Sequence, residues 1–440
     1  MRRLARERTL VAAALLAAST GALLGEGAAA AAAQGSTLRV SVAPDGSPAN
    51  GGSVMQSISA DGRFVAFVSS ASNLVAGKTD RMRTDLFVRD LGATTTSLAS
   101  VAPDGTAGNG DSRSPALSAD GRYLAFTSAA TNLVAGDTND QADVFVRDLR
   151  AGVTTRVSVA DDGTQADSFS QTPSISADGR YVAFVTRASN LAPGGGASVT
   201  ADVYVHDRES GTTTRVSVPA VDAVEQYNTA QPTISPDGQF VLYASDSPRQ
   251  VPGDTNRKSD IVLYDRQANT RSRISLAAGG IQGNGSSSNP TISADNRYVS
   301  FTSTSTNLVA GDTNGKADVF VYDRQLSRPV RVSMPSQTVE ANGESSSPSI
   351  SAEGGHVTYT SMASNLVEGD TNNGGDVFVT DLSTGATERV TVSGTGTQVA
   401  ASVTAPPSIN HDGRAVVFTS NAPGLAPRDA FWHQVYLRLR

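Results

Sequence analysis

Pro173-Ser-Ile-Ser-Ala-Asp-Gly-Arg-Tyr-Val-Ala-Phe-Val185 decides the fold. Pro173 to Ser176 is a short strand, Asp178-Gly179 is the dipeptide that tight hairpins favour, and Tyr181 to Val185 is a second strand. The same turn returns with its acidic residue at Asp61, Asp120, Asp178, Asp237, Asp295, Glu353 and Asp412, in steps of 58 or 59 residues. Repeats of this length signal arrays, and arrays of strands usually close into propellers.

Working outward from the hairpin, Asp202 to His206 reads as a third strand, Glu209 to Gly211 as a turn and Thr213 to Val218 as a fourth strand. Four antiparallel strands make one propeller blade. The second strand is apolar nearly throughout, as it must be when neighbouring blades cover both sheet faces. Tyr123 to Phe126, Tyr298 to Phe301 and Val416 to Phe418 repeat the pattern. At Asn296 the turn glycine gives way to a residue that tolerates a left-handed backbone, in keeping with the turn. The expected fold is therefore all-β, a seven-bladed β-propeller of four-stranded antiparallel blades, occupying residues 34–440 as a single domain.

The last unit ends on Val435 to Arg438, a third strand without a fourth, whereas Thr37 to Val42 matches Thr154 to Val159 and precedes any first strand. The early segment is therefore expected to complete the seventh blade and remove two open sheet edges. Residues 1–33 read as a secretory signal peptide: Arg2, Arg3, Arg6 and Arg8 precede an apolar run from Leu10 to Leu24 and small residues at Ala28 to Ala33. That run is too short to span a bilayer, and no later stretch is longer, so a secreted, extracytoplasmic chain without a membrane span is expected. The chain of 440 residues has no cysteine, which rules out disulfides, thiolate metal sites, a cysteine nucleophile and a lipidated cysteine anchor. Its 35 basic against 42 acidic residues argue against a nucleic-acid partner.

Ser-Ala-Asp-Gly-Arg-Tyr-Val-Ala-Phe followed by Asp-Val-Phe-Val-Arg-Asp resembles the WD-repeat-like unit of TolB-like exported bacterial β-propellers, over residues 37–440. The resemblance implies the propeller fold. It leaves function open, because such propellers serve both as binding platforms and as enzyme scaffolds. TolB itself carries an α/β domain before its propeller. No such domain is expected here, nor a role beside TolB's lipoprotein partner.

The long connections, such as Thr127 to Ala142 and Ala160 to Thr172, fall on one side of the ring, and a protein or glycan partner is expected there. Four of these loops carry an acidic pattern: Asp137, Asn139, Asp143; Asp254, Asn256, Asp260; Asp312, Asn314, Asp318; and Asp370, Asn372, Asp376. Alternating oxygen ligands suit calcium, which takes six to eight oxygens. Side-chain turns made by Asp and Asn explain the same pattern and carry more weight, since each loop offers only two carboxylates. Blade one has Lys78-Thr-Asp80 instead, blade three Gly194 to Gly196, and blade seven Pro427-Arg428-Asp429. Asn73, Asn132, Asn190, Asn307 and Asn365, each before a leucine, read as structural. So do the acids ending the third strands, Asp90, Asp148, Asp207, Asp265, Asp323 and Asp381.

Catalysis on a ring would need residues that break the repeat. The histidines are His206, His356, His411 and His433, and no zinc-protease or serine-hydrolase motif occurs. His356 and His411 are expected as neighbours on the short-turn face, without a third ligand. Trp432 with His433, and Glu225 with Tyr227, interrupt their loops and are expected to pack against neighbouring ones. The first strands, such as Ser174 to Ser176, line the axis with groups that look inert. No catalytic residue is assigned, and the expected function is a monomeric, non-catalytic binding or scaffold module. A hydrolase or lyase acting on cell-envelope polysaccharide or peptides is the alternative.

Overall fold

The computed structural model describes residues 34–78, 81–192, 200–219, 227–336, 338–400, 403, 405–428 and 430–440. The expected signal peptide, Asp80, Gly194 to Gly196, Glu225 and Asp429 lie outside the described residues. Seven four-stranded antiparallel sheets form the blades of a ring, six of them in chain order. The third blade, for example, is Ser170–Ile175, Tyr181–Thr186, Asp202–Asp207 and Thr212–Arg215. The seventh is closed as expected. Thr37–Arg39 pairs with Gln434–Leu439, setting Thr37 opposite Arg438 and Arg39 opposite Tyr436.

Packing explains the apolar second strands. Val182, Ala183 and Phe184 are all fully buried, and Phe184 stacks on Tyr204 of the third strand at 6.2 Å. Six of the seven blades carry such an aromatic pair; the fourth sets Tyr243 against Val262. Each core is shared between blades: Val144, Val146 and Val157 of the second pack on Val182 and Phe184 of the third. One blade alone leaves half of its apolar surface in water, so the repeats are stable only as a set.

Two strand boundaries differ from expectation. The fourth strand stops at Arg215, because Val216 turns into the core and hands its N–H to Val203 O at 2.8 Å. The first strand begins earlier, at Ser170, and is bulged: its register shifts between Gln171 and Ser174, with Thr172 at φ 51°. Pro173, which has no N–H for the ladder, is accommodated at this bulge, but it does not cause it, since blade one keeps the bulge with Gln56 in the proline position. Met55, Ser114, Gln231, Asn289 and Ser347 take the same left-handed conformation in their blades. A small hairpin, Leu276–Ala277 with Ile281–Gln282, was not expected.

On the short-turn face a backbone hydrogen bond links consecutive blades. Ala60 N donates to Ala119 O at 2.9 Å, Ala119 N to Ala177 O at 3.0 Å, Ala177 N to Pro236 O at 2.8 Å, Ala294 N to Ala352 O at 2.8 Å, Glu353 N to His411 O and His411 N to Ala60 O, both at 3.1 Å. Pro236 cannot donate, so the step from blade four to five lacks this bond. Asn296 supplies a substitute: its Nδ2 donates to Asp237 Oδ2 at 2.7 Å. The residue read as merely tolerating a left-handed turn, with φ 59°, therefore also spans the gap left by a proline.

Candidate functional site

The antiparallel order puts the loop between second and third strands and the loop into the next blade on one face, as expected. They are stitched together there. Asn132 accepts Asn109 N at 2.9 Å and donates to Ala107 O, while Asn109 accepts Thr131 N at 2.7 Å. Asn73, Asn190, Asn307 and Asn365 make equivalent clamps, and the leucines that follow are buried. The acids closing the third strands accept the turn amides, as when Asp148 takes Arg150 N and Ala151 N at 2.9 Å. Both groups are structural.

In the four acidic loops the carboxylates face a guanidinium that the sequence reading did not connect to them. It comes from the end of the fourth strand. Arg156 lies 3.0 Å from Asp137 and 3.3 Å from Asp143, and Arg273 3.3 Å from Asp254 and 3.1 Å from Asp260. Arg331 Nη1 lies 2.9 Å from Asp312, 3.2 Å from Asp318 and 2.9 Å from Glu340, and Arg389 lies 3.2 Å from Asp370. Arg331 meets Asp312 as a charge contact rather than a hydrogen bond, since both Asp312 oxygens lack a hydrogen-bond donor. Each asparagine turns its amide nitrogen to the strand aspartate, as in Asn314 Nδ2 to Asp318 Oδ2 at 3.1 Å, and its oxygen accepts a loop amide, here Lys316 N at 2.8 Å. Asn139, Asn256 and Asn372 do the same. Burial pushes Asp143, Asp260 and Asp376 above the usual carboxylate range, and Asp312 up to about 6. Glu340, held by the Thr313 hydroxyl and amide, falls to about 2.

These donor sets fit a calcium ion poorly: the guanidinium stands between the carboxylates, and the amide oxygens are engaged. The other blades support this. Blade one has Leu98 at the arginine position, and the cation comes from the loop instead, Lys78 Nζ standing 2.8 Å from Asp85. In blade seven the strand aspartate is replaced by neutral Gln434, and Arg39 donates to Pro427 O at 3.0 Å. In blade one the cation thus moves from strand to loop, whereas in blade seven the acid is lost and the arginine turns to a backbone carbonyl.

His356 fills the aromatic position of its blade and packs on Gly413, as Tyr123 packs on Gly179. Gly179 has φ 75°, and a β-carbon there would collide with the Tyr123 ring. His411 faces Glu353, with Nε2 3.7 Å from Oε1, and no group of three His, Cys, Asp or Glu able to hold a metal occurs among the described residues. His206 is buried with Nδ1 2.9 Å from Thr213 Oγ1, and burial lowers its pKa. A histidine with a depressed folded pKa contributes stability above its unfolded pKa of about 6.5, and that contribution is lost as pH falls through the folded value. His206→Tyr, which installs the residue found at Tyr264 and Tyr322, is expected to narrow the difference in urea midpoint between pH 7 and pH 5. An unchanged difference would show that His206 does not titrate on unfolding.

The hydroxyls near the axis are not inert. Ser57 Oγ accepts Leu117 N at 3.1 Å, Ser174 Oγ accepts Ile234 N at 3.0 Å and Thr291 Oγ1 accepts Ile350 N at 3.1 Å, each reaching the next blade.

Several exposed residues that break the repeat stand in one sector of the long-loop face, although others, such as Ile281 at 61% and Met362 at 60%, stand in other blades. Phe431 is 100% exposed and Trp432 56%, in blade seven; Met82 is 92% and Met55 45% exposed, in blade one. Tyr227 is partly buried, whereas Trp432 is too exposed for packing on a neighbouring loop to account for it. Backbone bonds make the sector continuous. His433 O accepts Ser53 N at 2.8 Å, at the head of the strand bearing Met55, and Thr84 O accepts Ser112 N at 2.9 Å, joining the Met82 loop to the first strand of blade two. That strand carries Arg113, an exposed arginine in a position held by Val54, Gln171, Ala230, Ser288 and Ser346 elsewhere. Only the structure shows that the segments bearing these residues are joined; the one signal in the sequence is their departure from the repeat.

No family model and no curated protein matches the chain. Solved structures do. An oligogalacturonate lyase in complex with manganese shares 13% identity over 92% of each chain, with a TM-score of 0.56. The β-propeller domain of the Trilobed protease from Pyrococcus furiosus, described as having an open velcro topology, shares 11% over 88% of this chain and 95% of that one, with a TM-score of 0.53. TolB from Acinetobacter baumannii shares 16% over 69% of this chain, which spans 58% of TolB's length, with a TM-score of 0.40. At these identities the likeness is one of fold: the chain is a β-propeller similar to propellers that differ in what they do, and unlike the protease domain's its ring is closed by a strand from the other end of the chain.

Proposed function

We propose that the protein is an exported, monomeric binding platform that engages a protein partner through the long-loop face where blades seven, one and two meet. The observation that carries this reading is the placement of exposed Phe431, Trp432, Met82, Met55 and Arg113 on three consecutive blades whose segments are joined by backbone hydrogen bonds. Aromatic residues, methionine and arginine are the types enriched at the centres of protein interfaces, and Trp and Arg dominate their energetics. Export rests on residues 1–33; among the described residues no helix is long and apolar enough to cross a membrane. The acidic loops are proposed as structural, with arginine or lysine as their cation in place of calcium. A lyase or hydrolase shares the fold, but no observed cluster of reactive side chains favours it.

The test is a random-peptide selection against the full chain, read by titration calorimetry with the peptides obtained. Replacing Phe431 and Trp432 together by Ser is expected to weaken binding at least about tenfold, with an unchanged melting temperature. Equal binding by the double variant would overturn the platform, as would a screen in which only glycans bind.

A further inference from the structure

We infer that Arg113 receives a carboxylate of the bound partner segment at the axial mouth of the platform. This rests on the platform reading above. The first strands of the seven blades adjoin one another around the axis, and among their described residues Arg113 is the sole charged side chain. Its neighbours on the flanking first strands are neutral: Val54 and Met55 on one side, Gln171 and Thr172 on the other.

Many of the described arginines are engaged, although exposed Arg150, Arg257 and Arg328, none of them on a first strand, also lack a side-chain partner among the described residues. Arg63, Arg122, Arg180 and Arg297 hold carboxylates at the short turns, Arg156, Arg273, Arg331 and Arg389 fill the acidic loops, and Arg208, Arg266 and Arg324 stack on aromatic rings. Arg113 is exposed, and among the described residues its side chain has no hydrogen bond, ion pair or ring contact, its backbone being paired opposite Thr127. Its charge therefore does nothing for the fold. A guanidinium offers a planar pair of donors that matches a carboxylate, which an ammonium does not. It stands beside Ser112, which is tied to the Met82 loop, so one short segment lying across Met55 and Met82 can place an acid on it. The apolar side chains supply contact area and the arginine supplies orientation. The ligand that fits is a short apolar segment of a partner protein bearing an Asp, a Glu or a free C-terminus at one end.

The experiment uses 12-residue peptides selected on the full chain, with Arg113→Gln and Arg113→Lys beside the Phe431→Ser, Trp432→Ser double variant. Arg113→Gln is expected to weaken acidic peptides about 10- to 100-fold, with Arg113→Lys intermediate and the melting temperature unchanged. The same peptides with Asp or Glu changed to Asn or Gln, or with an amidated C-terminus, identify which carboxylate is bound. The matching analogue loses affinity on the parent protein and is insensitive to Arg113→Gln, as coupled partners require. If Arg113→Gln leaves affinity unchanged while the Phe431, Trp432 variant loses it, the carboxylate contact is wrong and the platform stands. If the peptides depend on Arg113 but not on Phe431 and Trp432, the platform reading falls. If no peptide is selected and oligogalacturonate binds in an Arg113-dependent way, the partner is a glycan and the proposal is overturned.

Discussion

Deleting residues 34–43 is expected to lower the melting temperature of the whole ring by about six degrees or more, in one cooperative step. The segment contributes far more than three paired residues. Gly35 N donates to Leu439 O at 2.8 Å, Leu439 N to Ser36 O at 3.0 Å and Val40 N to Val435 O at 2.8 Å. Thr37 Oγ1 donates to Val392 O at 2.8 Å, which attaches the seventh blade to the sixth, and Ser41 Oγ donates to Gln434 Oε1 at 2.8 Å. Val40 is wholly buried in a core that also holds Val65, Phe67 and Val417, so its loss reaches blade one. At about 1 kcal/mol for each hydrogen bond and about 2 kcal/mol for the valine, the loss is on the order of 5 kcal/mol or more. Typical domains have only about 5–15 kcal/mol in total. Calorimetry and urea unfolding measure it directly. Unchanged transitions after the deletion would mean that this strand does not close the ring.

Arg331→Leu should be the most damaging single substitution at the acidic loops, because it strips the cation from Asp312, Asp318 and Glu340 at once. Breaking a buried ion pair from one side costs about 3–5 kcal/mol. Blade one shows how the loss is repaired, with Lys78 at the position of Asp312 and Leu98 at that of Arg331. The double variant Asp312→Lys, Arg331→Leu copies that arrangement and is expected to recover most of the stability. If it is no more stable than Arg331→Leu, the exchange between blades is not a charge exchange. Calcium provides the second readout. Millimolar calcium should leave the melting temperature of the parent chain unchanged, with no heat of binding, whereas a rise of several degrees reversed by chelator would return these loops to an ion. The pH dependence of this blade has two opposed parts. Asp312, raised to about 6, contributes stability at low pH that is lost as pH rises from about 4 through 6. Glu340, lowered to about 2, contributes stability above its ordinary value that is lost as pH falls towards 2.

The candidate site was legible only as a set of exceptions. Trp432 could be picked out because the repeat has no tryptophan elsewhere, but its exposure depends on the end of its loop being held at the head of blade one. Arg113 carries little signal in the sequence because a strand reads the same with one arginine in it; that its neighbours on the adjoining first strands are all uncharged is a property of the ring. The acidic loops were open in sequence between side-chain turns and a metal. Asp312 and Asp318 suggested a metal because they are close in sequence, whereas their countercharge, Arg331, lies on another strand and reaches them only when the blade is paired.

The sequence by itself determined the number of blades, the strand order within each and the closure of the last by Thr37–Arg39. Those features follow from local rules that a repeat states seven times: a tight turn at each Asp-Gly, an apolar strand after it, and a strand missing at one end that matches a spare at the other. Only the tertiary structure decided how the blades are joined and which side chains remain unused. The bond from Asn296 that covers for Pro236, the hydroxyls of Ser57 and Ser174 reaching the next blade, and the bond from Ser53 to His433 all cross between units. Such contacts depend on distances through space that no period along the chain encodes.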